Sequence, residues 1–271
     1  MAKITDTDRH AYYEKTKIYL SIIRALLKTE KDLLLKSKNA APQGPLARLV
    51  LVDEMLNLAS NYIAVNGISN AVLKVKNEEA LNDARKSLYK AIIYLEETVG
   101  NYIDSPFSDY EEKLSAIASF DPNQRYQLIR KIGLSIDILE NAYGDNSKWK
   151  WTFVELEGRY ATVTKNILDL RNVITYSRPD SDYYDSTVYH LRLVKKLLSQ
   201  SADRYREKYE LSTSQMSDFK TGINYLGALR RIHAVLSENE EAEAIKKKYA
   251  IWSAKLETDM KKQEEAKKNR A

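Results

Sequence analysis

The chain has 271 residues, enough to bury one large core or two smaller ones without covalent staples. It contains no cysteine, which excludes disulfides, thiolate metal sites and thiol catalysis, and only 8 Gly and 5 Pro, a composition that favours helix and starves turns. Lys and Arg total 43 against 38 Asp and Glu, a net charge of +5 with the signs interleaved, which gives a weak preference for polyanions and no more.

Thr5, Asp6, Thr7 and Asp8 offer N-caps for a first helix that faces inward with Tyr12, Tyr19, Ile23, Leu26 and Leu33 and ends near Lys38. The early Asp6, Asp8 and Glu14, and Arg24 within the apolar run, speak against a secretory leader. No apolar run approaches the roughly 18 residues that cross a bilayer, so a cytoplasmic protein is expected. After a turn over 39–44, Pro45 opens a second helix carrying Leu49, Val52, Leu56, Ala59 and Ile63, with Asn66 and Gly67 expected as its C-terminal cap. A third helix follows with Leu81, Leu88, Ile92, Leu95, Val99 and Tyr102 inward, bracketed by Gly100 and Pro106.

Ser108 to Glu111 has the form of a capping box for a short helix ending by Phe120. Asp121, Pro122, Asn123 and Gln124 repeat the device for a longer one through Ile129, Ile136, Leu139 and Tyr143 to Gly144. A long central helix over 148–176 is expected next, because Trp149, Phe153, Leu156, Tyr160, Val163, Ile167, Leu170 and Ile174 recur at alternating steps of four and three. Trp151, Val154, Gly158, Ala161 and Leu168 form a second line on it, and the small Gly158 and Ala161 would let another backbone come close.

The polar stretch over 178–185 reads as a joint between domains. Beyond it come stripes from Leu191 to Tyr209, from Phe219 to Leu236, and from Ile245 to Met260, the last behind a third capping box at Ser237 to Glu240. The expected fold is all-α, about nine antiparallel helices in an elongated multi-helix bundle or an irregular array of helical hairpins. Its domains are an N-terminal bundle over 1–177, C-terminal hairpins over 186–260 packed on it or continuous with it, and a charged tail over 261–271.

Catalytic spacings are missing. Three residues before His10, His190 and His233 stand Thr7, Thr187 and Arg230, so the Glu-x-x-His element of carboxylate-bridged metal bundles does not occur. There is no glycine-rich phosphate loop and no nucleophile elbow. No catalytic residue, metal ligand or cofactor is therefore expected. Trp151 is either the head of a second packing seam or an aromatic anchor for a partner. With 19 Tyr and only 4 Phe, the aromatic complement suits half-buried interfaces, and Tyr183, Tyr184 and Tyr189 join Trp151 as candidate partner-binding residues. Arg192, Lys195, Lys196, Arg204, Arg206 and Lys208 on one helix, with Arg230 and Arg231 on the next, are candidate nucleic-acid contacts; the plainer reading is an ion-paired, solvated helix face.

The leading expectation is a non-enzymatic adaptor, scaffold or assembly protein that binds another protein or assembles with itself. The alternatives are an RNA- or ribosome-associated protein using the basic helices, and an all-helical enzyme whose site is scattered in sequence.

Overall fold

A chain rich in good helix formers and poor in breakers closes its backbone hydrogen bonds locally. The computed structural model describes residues 4–39, 44–144 and 149–268, and these are all-α: ten α-helices, eight of them long, with no strand among the described residues. They are α1 (Asp6–Asn39), α2 (Gly44–Leu73), α3 (Glu78–Val99), α4 (Glu111–Ser115), α5 (Pro122–Tyr143), α6 (Lys150–Asn166), α7 (Val173–Tyr176), α8 (Tyr184–Lys208), α9 (Met216–Val235) and α10 (Asn239–Lys268). None is long and apolar enough to cross a membrane. The middle of the expected first turn (40–43), the first residue of the expected central helix (148) and the end of the charged tail (269–271) lie outside the described residues.

Two compact units divide the chain: residues 1–100 with 113–150, and residues 101–112 with 151–271. The 178–185 stretch, read from its composition as a joint, lies inside the second unit. In the first unit α1 packs on α2, α2 on α3, and α5 on both α2 and α3, around Leu51, Val52, Met55, Leu81, Leu88, Ile92, Ile129 and Ile132. Lys76, just before α3, donates to the carbonyl of Tyr143 at the end of α5 (2.9 Å), so α5 runs against α3 and in the direction of α2. In the second unit α8, α9 and α10 form successive antiparallel hairpins. Their stripes meet Val154, Ala161 and Leu168 in one cluster, where Phe219 stacks on Tyr209 at 5.0 Å and meets Trp252 at a tilt, with centroids 5.7 Å apart.

Several helix ends form as the sequence dictates. Asp121 and Gln124 cap α5 reciprocally, at 2.9 and 3.0 Å, with Pro122 at its first position. Gly144 ends that helix at φ 80°, a conformation that costs a residue with Cβ more than it costs glycine. Gly158 admits two side chains rather than another backbone: a Cβ there would lie 2.7 Å from the Tyr205 ring and 2.9 Å from the Tyr225 hydroxyl.

Other ends differ for identifiable reasons. The long central helix stops at Asn166, because Asp169 captures the backbone instead: its Oδ1 accepts from the amides of Arg171 (3.1 Å) and Asn172 (3.2 Å), and its Oδ2 from the Asn172 amide group (2.9 Å). Only the single turn α7 follows, and Ile174, expected inward, is exposed. Asn66 and Gly67 do not end α2, since the Asn66 side chain is buried and accepts from the amide of Asn77 ahead of α3 (2.8 Å); the chain turns at Lys74, at φ 56°. The third helix ends at Val99, leaving Tyr102 exposed. Ser108 falls in a 3-10 turn (Phe107–Asp109) rather than a capping box. At the third expected box Ser237 takes φ 59° and α10 begins at Asn239.

Candidate interaction surface

Of the residues proposed from sequence to meet a partner, Trp151 is half-buried and packs against the core cluster of the second unit, which is the seam reading. Tyr183 lies edge-on to Tyr176, with centroids 5.1 Å apart, while Tyr184 and Tyr189 are exposed and Arg192 sits over the Tyr189 ring at 5.7 Å.

Five of the eight basic candidates are committed to carboxylates. Lys195 holds Glu238 (2.6 Å), Arg204 holds Glu157 (2.8 Å), Arg206 holds Glu210 (3.0 Å), Lys208 holds Asp218 (2.9 Å) and Arg231 holds Asp104 (3.0 Å). Lys196 and Arg230 are exposed. The second unit has 22 Lys and Arg against 22 Asp and Glu; the first, with 21 against 16, holds the whole excess of charge.

The two histidines of the second unit have different partners. His190 is buried with its Nε2 2.9 Å from the carbonyl of Thr164. His233 instead pairs Nδ1 with Glu238 (2.6 Å), and Lys195 binds the same carboxylate. Burial alone would raise the Glu238 pKa, but those two partners together hold it below the usual range. This cluster clasps α8, α9 and the start of α10. Among the described residues no group of three or more His, Asp or Glu is placed to hold a metal ion.

Sequence reasoning missed the polar interior of the second unit. Thr162, Thr164, Lys165 and Asn166 are all buried on α6, and Lys165 is only 3% exposed, with its ammonium 4.7 Å from the centre of the Tyr110 ring. Asp104 stands near enough to attract it, yet the carboxylate is bound by Arg231 and sits against Gly227, where any Cβ would collide with it. Burial pushes the Lys165 amine down to about 8, with Asp104 opposing and Arg231 adding to the fall. The hydroxyls of Ser105, Tyr110 and Thr187 are also buried and make no hydrogen bond among the described residues. A signal was present in the sequence: Thr-Val-Thr-Lys-Asn puts polar groups around nearly the whole circumference of a helix whose flanking residues are core.

The first unit exposes apolar side chains in pairs one helical turn apart: Ile18 with Ile22 on α1, Leu46 with Val50 on α2, and Leu134 with Ile138 on α5. Two of these pairs belong to one strip. Asp53, three residues after Val50, binds Lys131, three residues before Leu134, at 2.6 Å on the solvent side. Since α2 and α5 run the same way, Leu46, Val50, the ion pair, Leu134 and Ile138 follow one another along about 20 Å of shared helix surface. Their exposures are 38%, 50%, 60% and 43% for the four aliphatics. Such a strip is as long as roughly four turns of a partner helix and spaces its apolar groups a turn apart, the pattern that helix-in-groove recognition uses.

Fold and surface together define an all-helical protein of two compact units, with a candidate docking strip on the first. The chain belongs to the TP0443 family, which it matches over residues 8–260. No curated protein and no solved structure matches it.

Proposed function

We propose that this protein is a non-enzymatic helical adaptor or assembly component that binds another protein, with the α2–α5 strip as its principal contact. The observation that carries the reading is the run of Leu46, Val50, Leu134 and Ile138 on the two sides of one exposed ion pair. Isolated exposed aliphatics are ordinary on protein surfaces; aligned pairs on neighbouring helices are what an interface core needs. A proposed cytoplasmic location goes with it, which cell fractionation checks.

The RNA- or ribosome-associated alternative has less support, because most of the basic residues that would contact phosphate are occupied by carboxylates. For an enzyme, His233 with Glu238 and the depressed Lys165 are the groups to substitute first.

The test is recovery of partners from cell extract by the full chain, beside its Val50→Glu/Leu134→Glu variant. Both positions are exposed, so the two substitutions together should change stability by less than about 1 kcal/mol. A stoichiometric protein partner, or a second copy of the chain detected by sedimentation, should be bound by the native protein and lost in the variant. Recovery of no such partner, or equal recovery by both proteins, overturns the reading.

A further inference from the structure

The first unit carries the charge excess, and a one-sided row on α1 contributes to it. The line that α1 buries is Thr16, Ile23 and Glu30, seven residues apart. One residue further along, about 100° around the helix, stand Lys17, Arg24 and Lys31, with Lys28 between the last two, all exposed. Ser21 and Leu35 complete an unbroken alternation of four and three from Lys17 to Leu35, and exposed Tyr13 stands one turn before Lys17. No ion pair or side-chain hydrogen bond engages these four cations among the described residues, in contrast to the paired cations of α8. Glu30 does not neutralise the row. It is buried, accepting from Lys90 Nζ (2.9 and 3.0 Å) and from the Tyr94 hydroxyl (2.8 Å) on α3.

We infer that this flank of α1 docks an acidic amphipathic helix of a partner protein. Three features select that occupant. The alternating spacing is the one along which a second α-helix keeps contact with a first, turn after turn; the phosphates of a nucleic acid have no such register. Four unpaired cations call for carboxylates opposite them. Tyr13 and Leu35, exposed at the two ends, offer anchors that fit leucines on a protein, and the aliphatic Leu35 has no use against a phosphate backbone. Glu14 and Asp32, exposed beside the row, also repel phosphate and limit the attraction to a partner that places its charge between them. The inference rests on the protein-binding reading but on residues separate from the α2–α5 strip.

The probe is a synthetic 21-residue peptide, glutamates on one helical face and a leucine near each end, titrated into the full chain by fluorescence anisotropy. A scrambled peptide of the same composition and a 20-nucleotide single-stranded RNA serve as competitors. The patterned peptide should bind, and more weakly as salt rises through the physiological range. Lys17→Gln/Arg24→Gln/Lys28→Gln/Lys31→Gln should lose roughly tenfold or more in affinity, and the corresponding four-fold Glu variant at least as much, with helical circular dichroism unchanged. Val50→Glu/Leu134→Glu should bind the peptide like the native chain. Failure of the native chain to bind the peptide, equal binding of the scrambled peptide or the RNA, or undiminished binding by the Gln variant overturns the assignment. None of these results touches the α2–α5 strip, which stands or falls by the recovery of a partner from extract.

Discussion

The two units place their anomalies on opposite sides of the surface. The first satisfies two buried charges, Glu30 by Lys90 and Tyr94 and Arg125 by the carbonyls of Phe120 and Ile117, and leaves aliphatic pairs outside. In the second, large exposed apolar residues such as Tyr102, Leu211 and Ile251 are scattered, and the unusual groups lie within, led by Lys165 and by the hydroxyls of Ser105, Tyr110, Ser177 and Thr187, which make no hydrogen bond among the described residues. Apolar surface left in water favours association, because covering it recovers the hydrophobic free energy that folding did not. A buried ammonium without a carboxylate of its own works against the stability of the fold that contains it. The difference teaches where to look for each property: binding in the first unit, and sensitivity to pH in the second.

The largest expected effect comes from the core of the second unit. Phe219 is fully buried in contact with the rings of Tyr209 and Trp252, so Phe219→Ala removes both ring contacts and leaves a cavity. A loss of about 3–5 kcal/mol is expected in urea unfolding. A loss below roughly 1 kcal/mol would mean that the aromatic series is not a tightly packed core, and the contrast between the units would weaken.

Next in size is Lys165. Its folded value of about 8 lies below the 10.5 of an unperturbed lysine. The amine therefore binds its proton less readily in the folded chain than in the unfolded one. This opposes folding fully below about pH 8, and the opposition is relieved as pH rises from there toward 10.5. At about 1.4 kcal/mol per unit of difference, the whole effect is roughly 3 kcal/mol. Lys165→Met should accordingly be more stable than the native chain at pH 7, by an amount that shrinks toward pH 10. The difference between the two proteins is the quantity to measure, since it cancels the buried tyrosines whose raised values oppose the trend above pH 10. A difference independent of pH would show that Lys165 titrates normally and that the interior of the second unit is no liability.

Much of this architecture was legible because helices announce themselves locally. The capping box at Asp121, the glycine ends at 100 and 144 and the stripes of α8 and α9 all depend on residues within a turn or two of one another. What was not legible depended on distant residues. Asn66 reads as a cap until Asn77 is known to need its side chain. The mixed signs of the basic helix suggest ion pairing, but not that the partners include Glu157, Asp218 and Glu238, from three other places in the chain. Nothing within residues 101–112 says that they belong with the second unit, where Asp104 and Tyr110 meet Arg231 and Lys165. The α2–α5 strip was hidden for the same reason, as its halves lie some 80 residues apart and are joined by one ion pair.

That ion pair gives the smallest and sharpest test. Lys131 and Asp53 are both substantially exposed, so their contact is screened and contributes at most about 1 kcal/mol to folding. Lys131→Leu should leave unfolding nearly unchanged for that reason. On the binding side it replaces the polar break in the strip by a fifth aliphatic group, joining Val50 to Leu134 in one apolar run. Burying that added surface under a partner is expected to be worth on the order of 1 kcal/mol, or a several-fold gain in affinity for whatever protein the native chain recovers. If affinity falls instead, the ammonium itself makes the contact with the partner, and the first unit then binds through charge on α5 as well as on α1, with Leu134 and Ile138 only flanking it.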